Sequence, residues 1–170
     1  MAEFNKNMLS SLGFSFQIEK TPELNFFVQS VTVPGIQKGL TEMQTPFKRI
    51  PFTGDKVEYG DLQVEFKINE DMTNYIQLFD WITGLGFPDT YAQYKNLKER
   101  NLPMSGEGLL SDATLMVTTN AMVPSVKIVF KDLFPYALSD ILMDSTSTDV
   151  EYMTATCSFR FLNYYFDTNV

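Results

Sequence analysis

Glu151-Tyr152-Met153-Thr154-Ala155-Thr156-Cys157-Ser158-Phe159-Arg160-Phe161-Leu162-Asn163-Tyr164-Tyr165-Phe166-Asp167-Thr168 is the stretch whose pattern decides the fold. Met153, Ala155, Cys157, Phe159 and Phe161 alternate with Thr154, Thr156, Ser158, Arg160 and Leu162. A period of two means a β-strand with one face in a core and the other turned to something polar. Read as one strand from Asp149 to Thr168, it is far longer than the usual five or six residues. A small domain needs no strand of that length for its own core, so a surface shared with other chains is expected here.

Working outward, several other segments show the same alternation. Phe14, Phe16 and Ile18 give a first strand, and Phe26 to Val33 a second, stopped by Pro34-Gly35. Residues 37–60 read as two edge-like strands in an extended hairpin, because Pro46 and Pro51 do not suit a central strand. That hairpin carries Phe47, Lys48, Arg49, Ile50 and Phe52, then Gly54-Asp55; such an edge is a liability unless a partner covers it. Leu62, Val64, Phe66 and Ile68 mark a further strand. Met72, Tyr75, Ile76, Phe79 and Ile82 then fall on one stripe of a helix over about 71–83, capped by Asn69-Glu70-Asp71 and ended by Gly84. Strands are expected at 113–119, at 126–131 and near Leu138 to Met143. Residues 1–12 form an arm with Phe4, Met8 and Leu9 at helical spacing, and 84–111 an irregular insertion holding a short basic helix from Tyr91 to Arg100. The sum is a mainly β (β+α) domain spanning 1–170: a β-sandwich or barrel of two packed antiparallel sheets with one flanking helix.

The 170 residues suit one domain, and a hydrophobic share of 44% with 20% charged residues is globular. The net charge of −8 argues against nucleic-acid binding as the main task, since phosphates need clustered Lys and Arg. No run of apolar residues is long enough for a membrane-spanning segment, and the N-terminus lacks the regions of a signal peptide. No histidine is present, which removes the commonest general base and metal ligand. The single cysteine, Cys157, lies on the apolar face of the closing strand, where a structural thiol is expected. No phosphate-binding loop or nucleophile elbow occurs, and no cofactor is expected. The carboxylates Asp55, Glu58 and Asp61, and Glu70-Asp71, read as a solvated turn and a helix cap, as does the Asp144–Asp149 turn. A carboxylate hydrolase and a monomeric carbohydrate-binding sandwich using Trp81 are the readings from other classes.

The order of these elements resembles the tail tube proteins of contractile-tailed bacteriophages. Three segments carry the likeness: Phe26 to Ile36, ending in Pro-Gly; the hairpin from Ile50-Pro51-Phe52-Thr53-Gly54-Asp55 to Phe66, with the helix bearing Phe79-Asp80-Trp81; and Val126 to Pro135 followed by the closing strand. The resemblance implies that six copies form a ring, that rings stack into a tube within a sheath, and that one sheet per copy lines a channel for DNA. It implies partners: further copies of itself, a tail sheath protein, baseplate and tail terminator proteins, and a tape measure protein and DNA transiently in the lumen. It places the protein in the virion, assembled in the bacterial host cytoplasm. A tube-like baseplate or terminator component, and the inner tube of a phage-derived injection system, are the alternatives. Phe47, Arg49, Ile50, Phe52, Asp55, Tyr164, Tyr165 and Phe166 are the candidates for contacts between copies. Gln63, Glu65, Lys67, Thr154, Thr156, Ser158 and Arg160 are the candidates for the lumen, with Arg160 and Lys67 expected to pair with a neighbour's carboxylates.

Overall fold

The computed structural model describes residues 7–86, 91–92, 109–144, 146 and 152–168, and nine strands and two helices lie wholly among those described residues. The elements are β1 (Phe14–Ile18), α1 (Pro22–Phe27), β2 (Val28–Thr32), β3 (Ile36–Gln44), β4 (Arg49–Tyr59), β5 (Leu62–Lys67), α2 (Thr73–Gly86), β6 (Ser111–Thr118), β7 (Pro124–Leu138), β8 (Thr154–Arg160) and β9 (Asn163–Asp167). All pairings are antiparallel.

The long strand β7 belongs to two sheets. Its N-terminal half joins β1, β6 and β9 in sheet A, and its C-terminal half joins β8, β5 and β2 in sheet B. Phe16, Ile18, Leu115 and Phe130 from sheet A meet Leu62, Val64, Phe66, Cys157 and Phe159 from sheet B in one core. Leu24 of α1 and Leu78 and Trp81 of α2 complete it. Trp81 is buried with its indole N–H donating to the Leu109 carbonyl at 2.9 Å, so it is a packing residue.

The closing segment is not one strand. Core-facing residues are odd-numbered in β8 (Ala155, Cys157, Phe159), whereas in β9 Tyr164 packs inward against Phe130. The alternation slips by one at Phe161-Leu162, and the strand breaks there. β7 slips at the facing position: Ile128 and Phe130 are buried before Asp132, and Leu133 and Pro135 after it. Asp132 holds φ 54°, a left-handed conformation that Asp tolerates better than most residues. Its N–H donates to Asp112 Oδ1 at 3.2 Å, and Asp112 also pairs with Lys131. Leu162 N–H bonds the Lys131 carbonyl across the corner. The strand expected at 126–131 is therefore longer, 124–138 and bent at Asp132, whereas the strand expected near Leu138 to Met143 does not form: only Leu138 lies in β7 and 139–143 carry no strand. Pro135 fits because the register shifts between Pro135 and Ala137.

Two further expectations are corrected. Phe26 and Phe27 end helix α1 rather than begin a strand: Pro22 occupies the first turn, where its missing N–H costs nothing, and Leu24 buries itself in the core. The stripe Met72, Tyr75, Ile76, Phe79 and Ile82 is not the buried face of α2, which presents Asn74, Leu78, Trp81 and Gly84 inward. Asn74 is buried because it is a capping residue: it exchanges bonds with Asn69 at both backbone N–H groups and donates to the Lys67 carbonyl at 2.8 Å. Gly84 lies inside α2, which continues to Gly86. Residues 7–10 of the arm carry no helix; 1–6, 87–90 and 93–108, with most of the expected basic helix, lie outside the described residues.

Candidate assembly surfaces

The outer face of sheet B gathers all seven lumen candidates. β5 and β8 pair Gln63 with Ser158, Glu65 with Thr156 and Lys67 with Thr154, which places these side chains side by side on the face away from the core. β2 extends the face: Ser30 and Thr32 sit opposite Glu65 and Gln63, and the Ser30 hydroxyl donates to Glu65 Oε2 at 3.0 Å. Sequence alternation places these residues on one face, and pairing of β2 with β5 adds Ser30 and Thr32 to it.

Arg160 finds its carboxylate within the chain. Its Nε lies 2.6 Å from Asp61 Oδ1, while the Tyr136 hydroxyl donates to Asp61 Oδ2 at 2.6 Å and the guanidinium sits 5.8 Å from the Tyr136 ring. The register shift at Pro135–Ala137 turns both Tyr136 and Ala137 outward, which is what brings Tyr136 to Asp61. Lys67 lies over the Tyr152 ring at 5.1 Å. The four charges named here, Asp61, Glu65, Lys67 and Arg160, cancel.

Accepting that hydrogen bond, Asp61 raises the Tyr136 pKa above the ordinary tyrosine value. The proton is held more tightly in the folded chain, so this contribution is present below the ordinary tyrosine value and is lost as pH rises through the raised one. Asp61→Asn is expected to lower the Tyr136 midpoint, read by NMR of ring-labelled tyrosine. An unmoved midpoint would show that the bond is absent in solution.

Sheet B has two unpaired edges among the described residues. β2 pairs only with β5, and β7 beyond Leu133 pairs only with β8. Following the antiparallel order β2-β5-β8-β7, these edges run in opposite directions.

The hairpin β3–β4 stands apart as its own two-stranded sheet. Every residue of β3 is exposed, and most of β4. Met43 pairs with Ile50 and Thr41 with Phe52, giving the distal half one apolar face. Phe47 at the tip is 97% exposed. The tip is set by Thr45, whose hydroxyl donates to the Lys48 carbonyl at 2.6 Å. Arg49 pairs with Glu42 at 3.5 Å, and Asp55 is exposed. Pro51 sits within β4 opposite Glu42, tolerated because the hairpin is all edge.

The C-terminal aromatics divide. Tyr164 belongs to the domain's own packing: its ring meets Tyr59, Phe130 and Phe161 at 5.4–5.7 Å and its hydroxyl donates to the Pro34 carbonyl at 3.2 Å. This cluster anchors the root of the hairpin, where Tyr59 also bonds Asn163 at 3.1 Å. Tyr165 and Phe166 remain 47% and 57% exposed. Cys157 is buried, and burial pushes its thiol pKa well up. Among the described residues no three His, Cys, Asp or Glu side chains converge as a metal site would require, and no helix is long and apolar enough to cross a membrane.

No protein-family model and no curated protein matches the sequence. Solved structures do match in fold. A chain of the anti-feeding prophage baseplate superposes with a TM-score of 0.65 at 11% identity, covering 97% of this chain and 98% of the other. A chain of the sheath-tube complex of the extracellular contractile injection system PVC gives 0.63 at 15% identity, covering 96% and 93%. A chain of that system's sheath/tube terminator gives 0.62 at 16% identity, covering 99% and 100%. With two antiparallel sheets, a flanking helix and end-to-end coverage, this chain has the fold that recurs in the tube, baseplate and terminator assemblies of contractile injection systems.

Proposed function

We propose that this chain is a structural subunit of the inner tube of a contractile phage tail, closing into hexameric rings that stack into a conduit for the genome. The observation that carries the reading is sheet B: four strands, a polar charge-balanced outer face, and two unpaired edges of opposite direction. Copies related by rotation about an axis along the strands would set the β2 edge of one against the β7 edge of the next, and that new pair is antiparallel like all the others. Such a contact is heterologous and closes into a ring, leaving no exposed edge. Six copies would give a barrel of about 24 strands, and barrels of roughly 16–18 strands already enclose an aqueous channel. The lumen would be lined by Ser, Thr and Gln side chains with mutually neutralised charges, a surface that offers a polyanion no basic patch to adhere to.

The hairpin supplies the contacts between rings in this reading, with Phe47, Ile50 and Phe52 covered on stacking. The sheath, baseplate, terminator and tape measure proteins are the expected partners, and the assembled virion is the expected location. A non-enzymatic role is supported by the lack of histidine and by the sequestered Cys157 thiol. The inner tube of a phage-derived injection system is the second reading, favoured by the fold matches to the anti-feeding prophage and PVC assemblies.

Electron microscopy of the purified, concentrated protein tests the proposal, with rings and stacked tubes as the expected particles. A chain that stays monomeric by light scattering at every concentration overturns it. Phe52→Asp is expected to leave circular dichroism and rings unchanged and to cut tube yield at least tenfold; full-length tubes from this variant would remove the hairpin from stacking.

A further inference from the structure

A cleft of about 340 Å³ opens between β1 and the start of β2, lined by Leu12, Phe14, Phe16, Asn25, Val28 and Gln29. Its lining combines polar side chains, Ser15, Asn25 and Gln29, with main-chain groups of β1. In the β1–β6 ladder Gly13 accepts from Thr118 and Glu19 donates to Asp112, so the odd-numbered residues of this stretch bond β6. The N–H and C=O groups of Phe14, Phe16 and Ile18 therefore point the other way, into the cleft. Ile18 is satisfied, its N–H donating to Asn25 Oδ1 at 2.9 Å, and this bond closes one end of the cleft. Phe14 and Phe16 have no backbone partner on that side among the described residues. A row of unpaired main-chain groups in a slot is a site for an added strand.

We infer that the strand seated there is the β3–β4 hairpin of a second copy. The inference rests on the tube reading and names the receiving surface for the hairpin. Two observations select this occupant. Both outer edges of the hairpin are unpaired among the described residues, and a two-stranded ribbon alone in water is marginal, so a third strand completes it. Charge points the same way. Residues 36–59 hold four bases (Lys38, Lys48, Arg49, Lys56) against three acids (Glu42, Asp55, Glu58), a net +1, which leaves −9 of the total −8 on the rest of the chain. The bodies of two copies repel, while the hairpin of one is drawn to the body of the other. The cleft lies at the N-terminal end of β2, ahead of Ser30–Thr32, so pairing along the rest of that edge leaves it open.

The test places a photo-crosslinking amino acid at Gln29 in the full chain, mixes isotope-labelled with unlabelled copies, assembles them and maps the products by mass spectrometry. Mixed-label cross-links from position 29 to residues 36–59 are expected. Gln29→Trp, which fills the cleft from an exposed position without touching the core, is expected to raise the concentration needed for assembly at least tenfold, whereas Gln29→Ala leaves it unchanged. Tubes that form normally but cross-link elsewhere, or that tolerate Gln29→Trp, overturn this docking and leave the tube reading standing. A wild-type chain that forms no rings or tubes overturns both.

Discussion

Phe130→Ala is expected to cost about 3–5 kcal/mol of folding stability, the usual range for emptying a buried aromatic site. That is a large share of the roughly 5–15 kcal/mol that holds a domain together. Phe130 is fully buried, and its ring touches Phe161 at 5.3 Å and Tyr164 at 5.6 Å. It sits on β7 just before the Asp132 corner, where β8 gives way to β9. Through Tyr164 and Phe161 it also supports Tyr59 at the root of the hairpin. Removing it therefore opens a void at the one place where both sheets, the closing strand and the hairpin meet. Urea denaturation of the unassembled chain measures the loss. Phe166→Ala, at an exposed ring on the neighbouring strand β9, serves as the comparison and should cost about 1 kcal/mol or less. A Phe130 variant losing less than about 1.5 kcal/mol would show that the cluster does not hold the corner.

The same corner explains what could be read in the sequence and what could not. The alternation in 154–160 and 62–67 decided the β class and put seven polar side chains on one face, because a period of two has only one structural meaning once one face is apolar. The breaks were harder. In the closing segment the inward positions change from odd to even between Phe159 and Tyr164, and in β7 from even to odd between Phe130 and Leu133. Each slip alone resembles noise in a pattern. Only the pairing of Lys131 with Asn163 shows that the two slips face each other and bend the ladder together. The inner face of the helix is hidden from the sequence for another reason. α2 is apolar on more than one side, and hydropathy favoured the stripe through Ile76 and Phe79, which are 48% and 53% exposed. The true inner face is fixed by Asn74, whose burial depends on hydrogen bonds to Asn69 and Lys67 that no hydrophobicity pattern records.

Assembly should fail most completely at Gly54. This residue lies opposite Gly39 where the hairpin register shifts, so that two backbones approach without side chains between them. A Cβ at Gly54 would stand 2.8 Å from the Gly39 carbonyl oxygen and 2.9 Å from its carbon, and neither is the movable end of a side chain. Gly54→Ala must push the strands apart at the shift and free the distal half, residues 40–53, from its pairing. Gly39→Ala is the internal control: its Cβ would meet nothing nearer than the Lys56 carbonyl at 3.7 Å, an ordinary contact. Two adjacent glycines, identical in composition and in strand propensity, should thus differ in effect. Because the hairpin contributes little to the core, Gly54→Ala should change global stability by about 1 kcal/mol or less. Its effect should appear instead in electron micrographs, with tube yield down at least tenfold for Gly54→Ala and near wild type for Gly39→Ala. Equal yields from the two variants would mean that the hairpin's distal half makes no contact between copies, and the surfaces of sheet B alone would have to hold the assembly together.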